Sequence, residues 1–488
     1  MKPSINMGTT LYSTLIRSIM EYSTVAIANI NESQLQKMHA IQHKSLRLIT
    51  QTLASSSREV LNLITNVIPI DLHFKLRISE SLARIMSRNS PINISYDAWK
   101  TGYMRNKYSK IITTYRKLEL ASQQILKKNI NQHNIPKLQL YDNRFPPFIE
   151  TTDIVPSEIT KELQKTKVTS MIRENLKYDF IIGTDGSTLK YSANSSLGPS
   201  AAAAIVFAKD NMREPLDVLT TNLGSVSHNY EAELVGIQLA LQHLQNRGVT
   251  DSKILIVSDC VPAMEATFTN AIHVDYNYTI MRNKDILLSL KNSNNLIEAV
   301  WAPGHLGIQI NEMADHVAKE EAAKINRVSR PLERKIVLTQ LKQEVLENWQ
   351  RRVNLELGNH QIIEINESVK SWKIFNTRES KHITRLITGH HFLNSFQSKI
   401  NPAKISQRCS CGQPETLHHF FFTCQKYNRH RQKWLHRVAG ITENLDDLNI
   451  LNMKTTFGQR EDLSEEKNRQ LQESVSSFIS ETGRFSMT

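Results

Sequence analysis

The stretch 178-YDFIIGTDGS-187 decides how the centre of this chain folds. Phe180, Ile181 and Ile182 give way to Gly, Asp and Ser, the composition of a β-strand running into a turn, with Asp185 closing the strand. Working outward, "AAAAIVFAK" (201–209) reads as a second strand and "LDVLTTNLG" (216–224), after a turn at "NMREP", as a third. The hydrophobic period then changes: "NYEAELVGIQLALQHLQNRG" (229–248) sets Leu234, Ile237, Leu241 and Leu244 on one helical face and stops at Gly248. "KILIVSD" (253–259) is a short apolar run of the kind a buried parallel strand shows, and "LIEAVWAPG" (296–304) is another. A helix follows from about Gln309 to Lys324. The order βββαβ, a helical stretch, then βα implies an α/β unit, a mixed sheet covered by helices.

At 488 residues the chain has room for several domains, each with its own core. With 40% apolar and 22% charged residues it is expected to fold nearly throughout. The opening "MKPSINMGTT" holds no apolar signal core, and no run approaches the roughly 18–20 apolar residues that span a bilayer. The expectation is a soluble protein of the cytoplasm or nucleus, without a membrane partner. Net charge is +13, yet residues 178–324 hold 17 Asp+Glu against 10 Lys+Arg, so the acidic centre is flanked by basic segments. Basic flanks suit a polyanionic partner held through phosphate contacts.

The flanks read as helical. Residues 9–135 contain no Gly before Gly102, and "NESQLQKMHAIQHKSLRLIT" opens with an Asn31 cap and aligns Leu35, Met38, Ile41, Ser45 and Leu48. "DNRFPPFIETTDIVP" (142–156) breaks the pattern, so residues 136–177 read as a linker. Residues 331–435 are helical up to a Cys/His cluster, and 436–488 read as a polar tail.

Four acids stand out by position: Asp185 and Asp259 at strand ends, Glu233 in the first turn of the helix after the third strand, and Asp315 on the last helix. In an open sheet of this kind ligands collect beyond the carboxyl ends of the strands. Clustered carboxylates repel one another unless a cation sits among them. Hard divalent ions such as Mg²⁺ take oxygen ligands, and a pair of them can hydrolyse a phosphodiester. Two glutamates compete for one place. Glu231 and Glu233 lie about 200° apart around a helix, so they cannot both face one site.

Residues 178–324 resemble the type-1 ribonuclease H domain in the form carried by LINE-type (non-LTR) retrotransposons. The matching stretches are "GTDGS" (Asp185), "AEL" (Glu233), "SDC" (Asp259), "GH" (His305) and "NEMAD" (Asp315). The resemblance implies a ribonuclease H-like five-stranded mixed sheet with flanking helices. It implies Glu233, which precedes Leu234 as the family's Glu precedes an apolar residue, as the inward glutamate, with Glu231 solvated. It also implies an RNA:DNA hybrid as substrate, and two Mg²⁺ or Mn²⁺ ions held by Asp185, Glu233, Asp259 and Asp315. His305, on a mobile loop, would assist proton transfer or product departure. Cys260, at a strand end, reads as packing.

"CSCGQPETLHHFFFTC" offers Cys409, Cys411, His419 and Cys424, a set that suits tetrahedral Zn²⁺, with His418 as the alternative imidazole. Three of the chain's four cysteines crowd into it, which favours a metal site over a disulfide framework. The cluster resembles the C-terminal Cys/His motif of many LINE-type proteins, as does "RLITGHHFLN" (385–394) before it. The N-terminal block resembles the reverse-transcriptase thumb and connection region through Tyr12, Glu21-Tyr22, Gln42, Leu46-Arg47 and Pro69, though the Trp usual after the Glu-Tyr pair is missing. No aromatic-x-Asp-Asp signature occurs, since the only Asp-Asp pair is Asp446-Asp447, so polymerase activity is not expected. The leading expectation is a metal-dependent endoribonuclease on RNA:DNA hybrids. The alternatives are a catalytically idle nucleic-acid-binding remnant and, for the Cys/His region, a protein-interaction module.

Overall fold

The computed structural model describes residues 4–22, 32–86, 161–173, 177–190, 196–209, 211, 213–269, 277–324, 332–358, 360, 362–363, 369, 374–375, 379–442, 456–457, 460 and 462–485. The expectations for 87–135, for the 142–156 boundary and for the Asn31 cap lie outside these residues. Two compact units divide the described chain. One draws on Met1–Ser79 and Leu341–Thr488, the other on residues within 80–340.

The second unit is built on the expected sheet. Strands β1 (Phe180–Thr188), β2 (Ser200–Ala208), β3 (Asp217–Asn222), β4 (Lys253–Ser258) and β5 (Leu296–Trp301) lie in the order β3-β2-β1-β4-β5. β1 is antiparallel to β2 and β2 to β3, while β4 runs parallel to β1 and β5 to β4. Side chains alternate across it. Ile182, Val206, Ile254, Ile256 and Ile297 enter one apolar cluster, and Ile181, Phe207, Leu255, Val257 and Val300 enter the other. Because both faces are buried, the strands carry continuous apolar runs rather than an apolar/polar alternation.

The unit's helices are α1 (Lys161–Arg173), α2 (Asn229–Asn246), α3 (Val261–Phe268), α4 (Asn277–Asn292) and α5 (Gln309–Ala323). Leu234, Ile237, Leu241 and Leu244 of α2 pack on the first face with Met264, Phe268, Leu287 and Leu290 of α3 and α4. Val168 of α1 and Ile310 and Ala314 of α5 cover the second. The expected linker 136–177 therefore ends in a helix that belongs to the sheet unit: Gln164 Nε2 donates to the Trp301 carbonyl at 2.8 Å and Val168 is fully buried. Few apolar residues mark α1, which is why its sequence reads as a connection. Beyond α5 the unit continues past residue 324, since Ile336 joins the first cluster and buried Glu333 accepts from Thr279 N and Oγ1 at 3.2 and 3.0 Å.

β1 also runs further than expected. Asp185 is its sixth residue, paired with Ala203 on β2, and the strand ends three residues later. The parallel partner β4 stops earlier: its last pair with β1 is Thr184↔Ser258. Asp185 and Asp259 are the residues that immediately follow that pair.

The other unit joins both helical flanks, which the sequence separates. Arg352 on the helix Arg334–Leu357 reaches Asp71 (Nη2–Oδ2 2.5 Å) and Glu59 (Nη1–Oε1 3.3 Å), and Thr384 Oγ1 donates to the Thr50 carbonyl at 3.0 Å. The helix Glu32–Thr50 turns Leu35, Met38 and Ser45 inward as expected but not Ile41 and Leu48. Leu48 is 71% exposed and Ile41 45%, while Gln42, Ser45, Leu46 and Thr50 are buried. A core position is occupied by a glutamine whose amide nitrogen is satisfied there, donating to Asn62 Oδ1 at 3.2 Å and the Ile68 carbonyl at 3.0 Å.

The expected polar tail is structural. Ser464 caps the helix Glu465–Glu481, which buries Leu471, Val475, Phe478 and Ile479, and Phe478 packs on Phe420, Phe421 and Trp434. Its apolar residues recur at helical spacing among many polar ones, so composition conceals the face. No described helix is long and apolar enough to cross a membrane.

Candidate functional site

The parallel register and three glycines assemble the acidic cluster. Asp185 and Asp259 extend neighbouring strands from the Thr184↔Ser258 pair, so their carboxylates emerge side by side. Glu233 comes from α2, which can approach β1 because Gly186 has no side chain: a Cβ there would lie 2.2 Å from Glu233 N and 2.4 Å from the Ala232 carbonyl carbon. Gly236, one helical turn on, faces the Asp185 carbonyl at 3.0 Å in the same sense, and Gly183 gives α5 its approach at Ile310. Asp185, Glu233 and Asp259 can place one oxygen each within 4.8 Å of one another. Asp185 and Glu233 are only 4% and 5% exposed.

Such a cluster is electrostatically unfavourable by itself. Burial, reinforced by Asp259 and Asp315, pushes the Asp185 carboxyl up to about 8. Burial and the charges of Asp185 and Asp259 hold Glu233 well above the usual carboxylate range, and burial also raises Asp259. Glu233 is held by two donors, Gly186 N to Oε2 at 3.1 Å and Asn229 Nδ2 to Oε1 at 3.2 Å. Asp259 accepts from the side chain of Asn311, a buried residue whose Oδ1 has no protein partner. Three convergent oxygen anions, with an unpartnered amide oxygen beside them, are a donor set for a hard divalent cation.

Asp315 stands apart from the three. It sits on α5 close enough to act on Asp185 and Asp259, but its Oδ2 is engaged by Lys319 Nζ at 2.7 Å. His305 is exposed in the loop between β5 and α5, near enough for its charge to act on Asp259, and its backbone is left-handed (φ 59°). That conformation costs a non-glycine residue about 1–2 kcal/mol. The loop passes close to the cluster at one end, where a Cβ on Gly304 would lie 2.8 Å from Asp259 Oδ2, and is tied at the other, where Gly307 N donates to Glu312 Oε1 at 2.7 Å.

Glu231 is not solvated, contrary to expectation. It is 1% exposed and accepts from Ser227 Oγ at 2.5 Å, turned away from the cluster around the helix. The inward choice between the two glutamates rests on which one faces β1, and that is Glu233. Cys260 is half-buried, with burial pushing its thiol up to about 12, consistent with packing. Sequence reasoning passed over Gly186, Gly236, Asn229, Asn311 and Lys319. Asn311 opens the "NEMAD" stretch and Asn229 opens α2, so each was visible as a polar residue a helical turn before a named acid.

In the other unit Cys409, Cys411, His419 and Cys424 converge, also within 4.8 Å. Cys409 Sγ and Cys411 Sγ lie 3.8 and 3.9 Å from Cys424 Sγ, and Cys411 Sγ lies 3.1 Å from His419 Nε2. Ligands at about 2.3 Å from a tetrahedral Zn²⁺ are separated by roughly 3.8 Å, so the sulfur spacings fit. The first two cysteines sit on a turn closed by Gly412 (φ 87°), where Cys409 N donates to the Gln413 carbonyl at 2.7 Å. A wide helical turn over His419–Thr423 carries the imidazole, whose Nδ1 meets Thr423 Oγ1 at 3.2 Å and so leaves Nε2 facing Cys411. His418, the alternative imidazole, is exposed and outside the set. The tail closes over this region: Arg484 grips buried Glu415 through Nε–Oε1 and Nη2–Oε2, both 2.8 Å.

Residues 177–323 match the family model described as RNase H. Among solved structures, the chain is similar to the N-terminal RNase H domain of a Mycobacterium tuberculosis protein studied as a maltose-binding-protein fusion (19% identity, TM-score 0.24, covering 30% of this chain and 94% of that one). It is also similar to RNase H1 from the halophilic archaeon Halobacterium salinarum (18%, TM-score 0.23, 29% and 96%). A third is LC11-RNase H1, obtained from compost by a metagenomic approach, in complex with an RNA/DNA hybrid (14%, TM-score 0.23, 29% and 97%). No curated protein matches the chain.

Proposed function

We propose that this protein is a metal-dependent endoribonuclease that hydrolyses the RNA strand of RNA:DNA hybrids, derived from a LINE-type retrotransposon and without polymerase activity. The observation that carries the reading is the end of the β1–β4 pairing at Thr184↔Ser258, which sets Asp185 beside Asp259 with Glu233 packed against both. The family match over 177–323 supports the reaction class.

Asp185, Glu233, Asp259 and Asp315 would hold two Mg²⁺ or Mn²⁺ ions. When bound, the ions supply activation of a water and charge stabilisation at the leaving oxygen of a phosphodiester. The chain's own residues do the rest. Gly186 N and Asn229 fix the direction of Glu233, and Asn311 fixes Asp259. His305, exposed on a tethered loop beside Asp259, is placed to carry a proton between solvent and the scissile phosphate. The basic segments outside the acidic unit would contact backbone phosphates. We assign the Cys409, Cys411, His419 and Cys424 set to one structural Zn²⁺.

Glutamine substitutions at the two neighbouring glutamates test the reading. Glu233→Gln is expected to abolish hybrid cleavage and Glu231→Gln to retain it in the folded protein. Full activity of Glu233→Gln would contradict the assignment.

A further inference from the structure

We propose that Lys319 is a built-in competitor for the cation position beside Asp315, so that the second divalent ion binds by displacing an ammonium already there. The inference rests on the metal reading of the acidic cluster and adds a residue that sets how readily the cluster fills.

Lys319 Nζ lies 2.7 Å from Asp315 Oδ2. Asp315 is also the carboxylate that falls outside the tight group formed by Asp185, Glu233 and Asp259. An i,i+4 pair on a helix surface is commonplace, and α5 has others, such as His316 with Glu320. Lys319 differs in its surroundings. Its ammonium feels Asp315 first and then Asp185 and Asp259, each favouring the charged form. It therefore stands at the open side of a carboxylate cluster whose members repel one another, and it neutralises part of that repulsion.

A divalent ion taken up beside Asp315 would compete with Lys319 for the same carboxylate and would be repelled by the ammonium bound to its Oδ2. It would also cancel the field that draws the ammonium in. The lysine can leave at little cost: its side chain is 53% exposed, and its flexible four-carbon stem can carry the charge to solvent. Among the described residues no ammonium or guanidinium is hydrogen-bonded to Asp185, Glu233 or Asp259, so the first ion displaces no bound cation there and meets only the more distant charge of Lys319. The two positions should consequently differ in affinity, with the weaker one set by Lys319.

The test is Mn²⁺ binding to the full chain, followed by the electron paramagnetic resonance of free Mn²⁺, for wild type, Lys319→Gln and Lys319→Arg. The wild type should show a tighter and a weaker class. Lys319→Gln should tighten the weaker class by roughly two- to fivefold, the range of an exposed ion pair, and change the tighter class by less. Lys319→Arg, which keeps the charge, should behave as wild type. Two classes with no change in Lys319→Gln, or a weaker class that weakens further, would overturn the proposal while leaving the metal reading intact. No Mn²⁺ bound by the wild type would overturn both.

Discussion

Glu233 Oε2 accepts a hydrogen bond from the backbone of Gly186, the residue directly after Asp185, at 3.1 Å. This contact joins α2 to β1 beside the clustered acids, each of which comes from a different element. It depends on the absence of a side chain at residue 186. Gly186→Ala would drive a Cβ into helix backbone, which cannot give way as a side-chain tip would. We expect a loss of about 3 kcal/mol or more, at the upper end of overpacking costs. Urea denaturation measures it, and a wild-type midpoint would refute the tight approach.

The raised carboxyls fix the sign of a pH effect. Groups whose folded pKa lies above the unfolded value stabilise the fold below the unfolded pKa, near 4, and lose that contribution as pH rises through the folded one, about 8 for Asp185. Metal-free protein should therefore lose thermal stability between roughly pH 4 and pH 8 from this cluster. Mg²⁺ should raise the melting temperature more at pH 8.5 than at pH 6, values chosen at about and well below that folded pKa. Asp185→Asn should stabilise the metal-free protein at the higher pH and remove most of the Mg²⁺ response. An equal Mg²⁺ shift at both pH values would count against coupled carboxylates.

Glu312 holds the His305 loop through Gly307 N. Replacing it with alanine should speed amide hydrogen exchange across residues 304–308 and lower kcat while leaving the sheet's exchange unchanged. Unaltered loop exchange in Glu312→Ala would remove the tether from the mechanism.

The Cys/His set should bind one Zn²⁺ per chain in equilibrium with a strong chelator. Cys424→Ser, at a buried ligand, should lose the metal and lower the melting temperature of the unit that contains it. Metal analysis that finds no zinc in the reduced wild type would exclude the site.

Much of the centre was legible because both faces of its sheet are apolar and its strands announce themselves as runs such as "KILIVSD". The acids were legible through position, since Asp259 follows a strand end and Glu233 opens a helix. What was missed follows from tertiary packing. Gln42 buries through hydrogen bonds rather than apolarity, so the face of Glu32–Thr50 was read correctly at Leu35, Met38 and Ser45 but misread at Ile41 and Leu48. Glu231 buries against Ser227, which lies outside the helix before its N-cap His228, where the helical pattern has not yet begun. The helix Glu465–Glu481 hides its apolar stripe in polar composition, and Phe478 shows its worth only against Phe420, Phe421 and Trp434. Phe478→Ala should cost about 3–5 kcal/mol in the unit that contains it, an outcome a dispensable tail would not produce.

The most direct measurement is cleavage of an RNA:DNA hybrid with end-labelled RNA by the full chain, with and without Mg²⁺, beside Asp185→Asn. We expect Mg²⁺-dependent cutting of the RNA strand by the wild type and none by the variant, with both proteins folded and both binding the hybrid. Hybrid binding without cleavage by the wild type, or cleavage retained in Asp185→Asn, would contradict the central claim.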